Sequence, residues 1–152
     1  MNLIYKNQLR IAGLVGCGSA TGAVWGEFDN LYGAKPFPKT EENGYEIRFY
    51  GSPDKAAPGQ DIFVGFATDS EAAGVSAVTL PETEYASFDV FVAKGYDSEN
   101  AAMDKWLADN ALRFGQRSLD GRKYVVECYN EKFKGGDKPD SVVEIWIPLY
   151  RH

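Results

Sequence analysis

Glu127, Tyr129, Glu144 and Trp146 stand at alternate positions of two short apolar segments, Tyr124–Tyr129 and Val142–Ile147. Residues two apart on an extended strand share a face, so each segment offers one carboxylate and one large ring to the same side. A carboxylate in a partly dry pocket has few water partners, and a bound organic cation relieves its charge. Aromatic faces add a cation–π attraction of roughly 0.5–2 kcal/mol per good contact. Rings also accept flat apolar bodies without demanding one hydrogen-bond pattern, which favours breadth over selectivity. The same acids could activate water if burial raised their pKa. A plainer reading fits the pattern too: Glu127 and Glu144 lie on a solvated sheet face and pair with Lys or with Arg48. Trp146 sits less comfortably with that reading, because exposed Trp is uncommon.

Much other chemistry is excluded by composition. His152 is the only histidine of the 152 residues and the last of them, which removes Ser-His-Asp triads, Cys-His pairs and His-ligated metals. Cys17 and Cys128 are far apart and form no CxxC motif, so no metal site is expected and no cofactor is implied. Catalysis would have to use carboxylates, Tyr or Lys, and an enzyme is the weaker reading. The net charge of −6 disfavours direct nucleic-acid binding. No apolar run approaches the ~20 residues of a membrane helix. The opening MNLIYKNQLRIAGLVG alternates like a strand rather than a signal sequence, so a cytoplasmic protein with two thiols is expected. Nine Tyr, nine Phe and three Trp exceed what a small core requires, and some of these rings are expected to line a binding surface.

The elements that must position these groups recur along the chain. Tyr5–Val15 reads as a strand ending at Gly16. A helix follows, capped by Ser19 or Thr21, with Trp25, Phe28 and Tyr32 on one face. Tyr45–Tyr50 and Asp61–Ala67 read as strands joined by a turn-rich link, Gly51–Gly59. The second half repeats the order: the strand Tyr85–Ala93 ending at Gly95, a helix capped by Ser98 and holding Met103, Trp106 and Leu107, then Tyr124–Tyr129 and Val142–Ile147. Gly16 to Gly95 is 79 residues, Trp25 to Trp106 is 81, and Tyr45 to Tyr124 is 79. The pattern predicts an α+β fold: a tandem βαββ repeat forming one antiparallel sheet, with both helices on one face and a ligand cleft at the pseudo-two-fold. One domain spanning 1–152 is expected, built of halves at about 1–75 and 76–152. The helix-free face would hold the ligand. Val143, Ile145, Ile147, Tyr124, Val126 and Cys128 are assigned to the core, leaving the four opening residues together on the other side. The repeat offset maps Glu127 onto Arg48, Tyr129 onto Tyr50 and Trp146 onto Phe66, so the first half would bring rings but no matching acid. Trp25 is placed at the edge of the cleft.

The run Leu80-Pro-Glu-Thr-Glu-Tyr-Ala-Ser-Phe88, the strand to Gly95, Tyr124–Tyr129 and Val143-Glu-Ile-Trp-Ile-Pro-Leu149 together resemble the GyrI-like family. These are effector-binding domains that follow DNA-binding regions in AraC-type and MerR-type regulators. They also occur alone, including as integron gene cassette proteins that bind cationic drugs. The similarity covers nearly the whole chain and is strongest at Glu144-Ile-Trp-Ile-Pro148. It implies the same tandem fold, with an acid for the cation's charge and aromatic walls. Glu144 carries over most directly and Glu127 follows in the preceding strand. Tyr129 and Trp146 are implied as walls, with Phe66, Tyr50 and Trp25 further out. The chain begins inside its first strand, so DNA binding in cis is not implied. The resemblance thus implies a stand-alone module for amphipathic organic cations. The family also offers a hydrolase of electrophilic natural products using a cleft Glu, and a gyrase-inhibitor-like role with a protein partner. Exposed sheet edges allow a homodimer.

Overall fold

A computed structural model describes residues 1–51 and 60–152. The turn-rich link expected at Gly51–Gly59 falls almost wholly outside the described residues. The first half contains β1 (Asn2–Lys6), β2 (Leu9–Gly16), α1 (Thr21–Tyr32), β3 (Gly44–Tyr50) and β4 (Ile62–Ala67). The second contains β5 (Ser76–Leu80), β6 (Thr83–Phe91), α2 (Asp97–Asp109), the short β7 (Phe114–Gln116) and β8 (Ser118–Leu119), β9 (Arg122–Tyr129) and β10 (Val142–Arg151). All strands join one antiparallel sheet in the order β1-β6-β10-β9-β3-β4-β2-β5, with β7 beside β10 and β8 beside β9. The order reads the same from either end once the halves are exchanged. The pseudo-two-fold therefore passes between β3 and β9.

Two features depart from the expected βαββ units. The run Tyr5–Val15 is not one strand: the chain leaves β6 after Lys6 and pairs with β5 from Leu9. Each half thus begins with an extra strand, β1 or β5, which pairs with the other half. The register carries straight across the break, with Lys6 opposite Thr83 and Leu9 opposite Leu80. The sheet consequently curls on itself. Its inward face closes over one cluster that draws on strands all around the curl, including Ile11, Ile47, Phe63, Tyr85, Val126 and Trp146. The face expected to be free for a ligand is therefore filled.

Both helices lie on the outward face. Val24 of α1 packs on Ile62 and Val64, while Met103 of α2 packs on Phe88, Ile145 and Ile147. Neither helix uses the side-chain cap expected of it. Thr21 Oγ1 donates back to the Gly18 carbonyl at 3.2 Å, α2 starts one residue before Ser98, and neither N-cap residue makes a side-chain bond. Trp106 stacks on Phe114 at the flank of α2.

Gly13 and Gly65 face each other across β2 and β4, and only hydrogen fits there. A Cβ on Gly65 would lie 2.0 Å from the Ala12 carbonyl oxygen, and one on Gly13 would lie 1.7 Å from that of Val64. The clash is with backbone, which cannot rotate away. Gly65→Ala is expected to destabilise the fold by roughly 3 kcal/mol or more. Gly26→Ala, inside α1 where an added Cβ meets nothing, should stabilise it by about 0.5–1 kcal/mol. Urea unfolding of both variants checks the contrast.

Candidate functional site

The two central strands meet at Glu46 and Glu127, which stand directly opposite one another. Both point outward, between the helices, and both are buried, at 0% and 3% exposure. Two carboxyl groups in such a place need a counter-charge, and Arg48 supplies it from the next outward position of β3. Its Nε donates to Glu127 Oε2 at 2.6 Å, and its terminal nitrogen lies 2.8 Å from Glu46 Oε2. The same nitrogen donates to Thr21 Oγ1 at 3.0 Å, tying the cluster to α1. Trp25 Nε1 donates to the other Glu46 oxygen at 3.2 Å. Glu46 is thereby covered by Arg48 and Trp25, while Glu127 keeps a face on open space.

That space is a cavity of about 740 Å³ between the helices. Its floor is Glu127, Val125, Ile145 and Ile147. Helix α2 contributes Asn100, Met103, Asp104 and Leu107, one stripe at helical spacing. Tyr50, Tyr96 and Tyr129 stand around it, and Lys123 of β9 is also in the lining. Beyond Tyr129 a groove of about 450 Å³ is lined by Trp25, Phe66 and Phe133, with Glu42 beside them. Tyr129 belongs to both spaces and meets Trp25 and Phe133 edge-on, with ring centroids 6.2 Å and 4.9 Å away.

Burial is the main force on the Glu127 proton, and the bond and charge of Glu46 add to it. Together they push Glu127 up to about 8 against the pull of Arg48. Two acids, one guanidinium and one retained proton make a neutral cluster, the state a buried site favours. Burial also pushes up the phenols of Tyr50, Tyr96 and Tyr129, Tyr96 to about 12.

The structure divides the expected site residues into three groups. Glu127, Tyr129 and Tyr50 line the cavity. Trp25 and Phe66 line the adjoining groove with Tyr129. Glu144 and Trp146 lie on the opposite face of the sheet, because Ile145 and not Glu144 stands across from Glu127. Trp146 is buried in the inward core against Tyr45 and Tyr85. Glu144 binds Lys132, Asn130 and the Trp146 indole; burial pushes its carboxyl up, but these three donors outweigh that and hold it below the ordinary range. The shared face failed because the sheet carries an apolar core on each side: Tyr124, Val126 and Cys128 of β9 face the inward cluster while Ile145 and Ile147 of β10 face α2, so the two sets assigned to one core belong to two. The hairpin after Tyr129 sends Lys132 to Glu144 and Asp89, and its Phe133 closes the groove. The expectation that the first half lacks a matching acid is also corrected: Glu46 is that acid. Its parity with Arg48 and Tyr50 was visible, but its position opposite Glu127 depends on strand register. The α2 stripe was the other omission, and the i, i+3, i+4, i+7 spacing of Asn100, Met103, Asp104 and Leu107 carried the signal.

No protein-family model matches the sequence, and no curated protein does. Solved structures match over nearly the full length. One is SAV2435 bound to tetraphenylphosphonium, with a TM-score of 0.63, 14% identity, and coverage of 98% of this chain and 93% of that one. Another is the C-terminal domain of EcmrR, at 0.65, 12%, 99% and 97% respectively. A third is the integron cassette protein VCH_CASS2 from the mobile metagenome of Vibrio cholerae, at 0.54, 14%, 98% and 95%. The chain shares the fold of these structures, the fold that the resemblance to the GyrI-like family implies. Among the described residues, no helix is long and apolar enough to cross a membrane, no group of His, Cys, Asp and Glu could hold a metal ion, and Cys17 and Cys128 are free thiols.

The raised Glu127 carboxyl has a thermodynamic signature. The folded state holds this proton more tightly than the unfolded chain, whose carboxyl titrates near 4.5. Its stabilising contribution is complete below that value and is lost as pH rises toward about 8. Melting temperatures of wild type and Glu127→Gln, taken from pH 4.5 to 8.5, should show the wild type losing stability relative to the variant as pH rises. A constant difference across the range would remove the assignment.

Proposed function

We propose that this protein is a binding module for amphipathic organic cations, which it holds in the cavity between its two helices. The observation that carries this reading is the carboxyl pair Glu46–Glu127 beneath a tyrosine-walled cavity of about 740 Å³. That volume suits a drug-sized molecule. The resident guanidinium of Arg48 illustrates what the pair stabilises: a planar, delocalised cation lying against both acids. Apolar side chains on the floor and on α2 would take the ligand's body, and the tyrosine faces its positive centre. The likeness to a tetraphenylphosphonium-bound structure supports the same class of ligand.

Glu127 is the contact we assign to the charge, and Tyr129, Tyr50, Trp25 and Phe66 are walls. Glu144 and Trp146 have no part in binding on this reading. The charge requirement is tested with tetraphenylphosphonium, neutral triphenylphosphine oxide and anionic tetraphenylborate in thermal-shift assays. At a hundredfold excess over Kd the phosphonium should raise the melting temperature by on the order of 5–10 °C. Glu127→Gln should weaken its binding about tenfold or more, while Glu144→Gln should leave it unchanged. Equal shifts from all three compounds would rule out recognition of charge.

A further inference from the structure

The charge count at the cavity floor leads beyond the identity of the ligand. The cluster holds two buried carboxyl groups and one guanidinium that keeps about a third of its side chain exposed, 32%. Glu46 is fully buried and closed off by Arg48 and Trp25, so a ligand's positive centre can reach the pair only through Glu127. A monocation arriving at a neutral cluster would leave one unbalanced positive charge in a desolvated place, which is costly. Two routes restore neutrality. Arg48 can leave, or the proton shared by the two acids can leave.

Arg48 is held at three points, to Glu127, Glu46 and Thr21, and these anchor it across both central strands and α1. The proton has no such anchors: the burial of Glu127 holds it first, and the nearness of Glu46 adds to that. We infer that the site is a cation-for-proton exchanger: a monocationic ligand docks on Glu127 as the Glu46–Glu127 pair surrenders its shared proton, and Arg48 stays in place. The inference rests on the cation-binding reading and adds its stoichiometry. One O–H bond breaks on the pair, the proton passes to solvent, and both acids are then carboxylates facing two cations, Arg48 and the ligand. No electrons move.

The neighbouring titratable groups leave this pair as the source. On β3 and β9 they are Arg48, Tyr50, Lys123 and Tyr129; before and on α2 they are Tyr96 and Asp104. The facing residues of α1, β4 and β10 (Thr21, Trp25, Val64, Ile145) do not titrate, and Asp61, just ahead of β4, accepts the Gly18 N–H at 2.7 Å near Arg48 but outside the cavity lining. Burial holds the three phenols protonated well above neutral pH. The single histidine, His152, lies against Tyr150 and outside the cavity lining. The displaced proton is the one that Glu127 retains.

The exchange makes affinity rise with pH, by up to about tenfold per unit while the pair is protonated, and level off above its titration. Tetraphenylphosphonium is a suitable probe because it cannot itself gain or lose a proton. Titration calorimetry at pH 6.5 in phosphate and in ACES, buffers with different ionisation heats, counts protons released on binding. Wild type should release about one, and Glu127→Gln none. Glu46→Gln, which also abolishes the shared proton, serves if Glu127→Gln does not fold. Binding of the phosphonium without proton release, or release undiminished in a folded variant, would overturn the exchange and leave the cation-binding reading standing. Absence of phosphonium binding at both pH 6 and pH 9 would overturn the reading itself, and the exchange with it.

Discussion

Two buried carboxyl groups meet at the centre of this molecule, and the surroundings are arranged to make that tolerable. Glu46 and Glu127 face each other where the halves join, Glu46 fully buried and Glu127 open only to the cavity. Arg48 bridges them and anchors to α1 through Thr21, and Trp25 donates to the far oxygen of Glu46. Removing one member of such a buried cluster typically costs about 3–5 kcal/mol, because the remaining charge is stranded. The acids thus hold α1 in place as much as α1 shields them. The cavity exists because only the α2 side of the pair is left uncovered.

The halves share a backbone plan but not a role. The first half contributes Glu46, Arg48 and the aromatic groove under α1. The second contributes Glu127, the apolar floor and the α2 stripe. The duplicated architecture therefore carries an asymmetric site, with the charge concentrated on the axis and the apolar surface to one side.

The order of elements was legible because the landmarks Gly16 and Gly95, or Trp25 and Trp106, recur at nearly one spacing. Parity grouped Glu127 with Tyr129 and the repeat offset added Tyr50, but all three line the helix side of the sheet and not the face expected for them. What failed was register. A one-residue shift between neighbouring strands exchanges their faces, and Ile145 rather than Glu144 lies opposite Glu127. Nothing in a segment apolar on both sides announces which side will be inward. The break at Asn7–Gln8 was hidden for a related reason: β1 and β2 continue one ladder in one register, so the run looks like a single strand.

The crossing of β1 and β5 has a consequence for how the chain assembles. Each half lends its first strand to the other, so a chain cut between β4 and β5 would leave two pieces with unpaired edges, each missing the strand that the other carries. Neither repeat is a self-sufficient building block. The arrangement is that of two arms exchanged between covalently linked repeats. Its outermost ladders, β1–β6 and β5–β2, join residues 63 (Gly13 to Ser76) to 85 (Asn2 to Ser87) positions apart, so they close only after both halves have met.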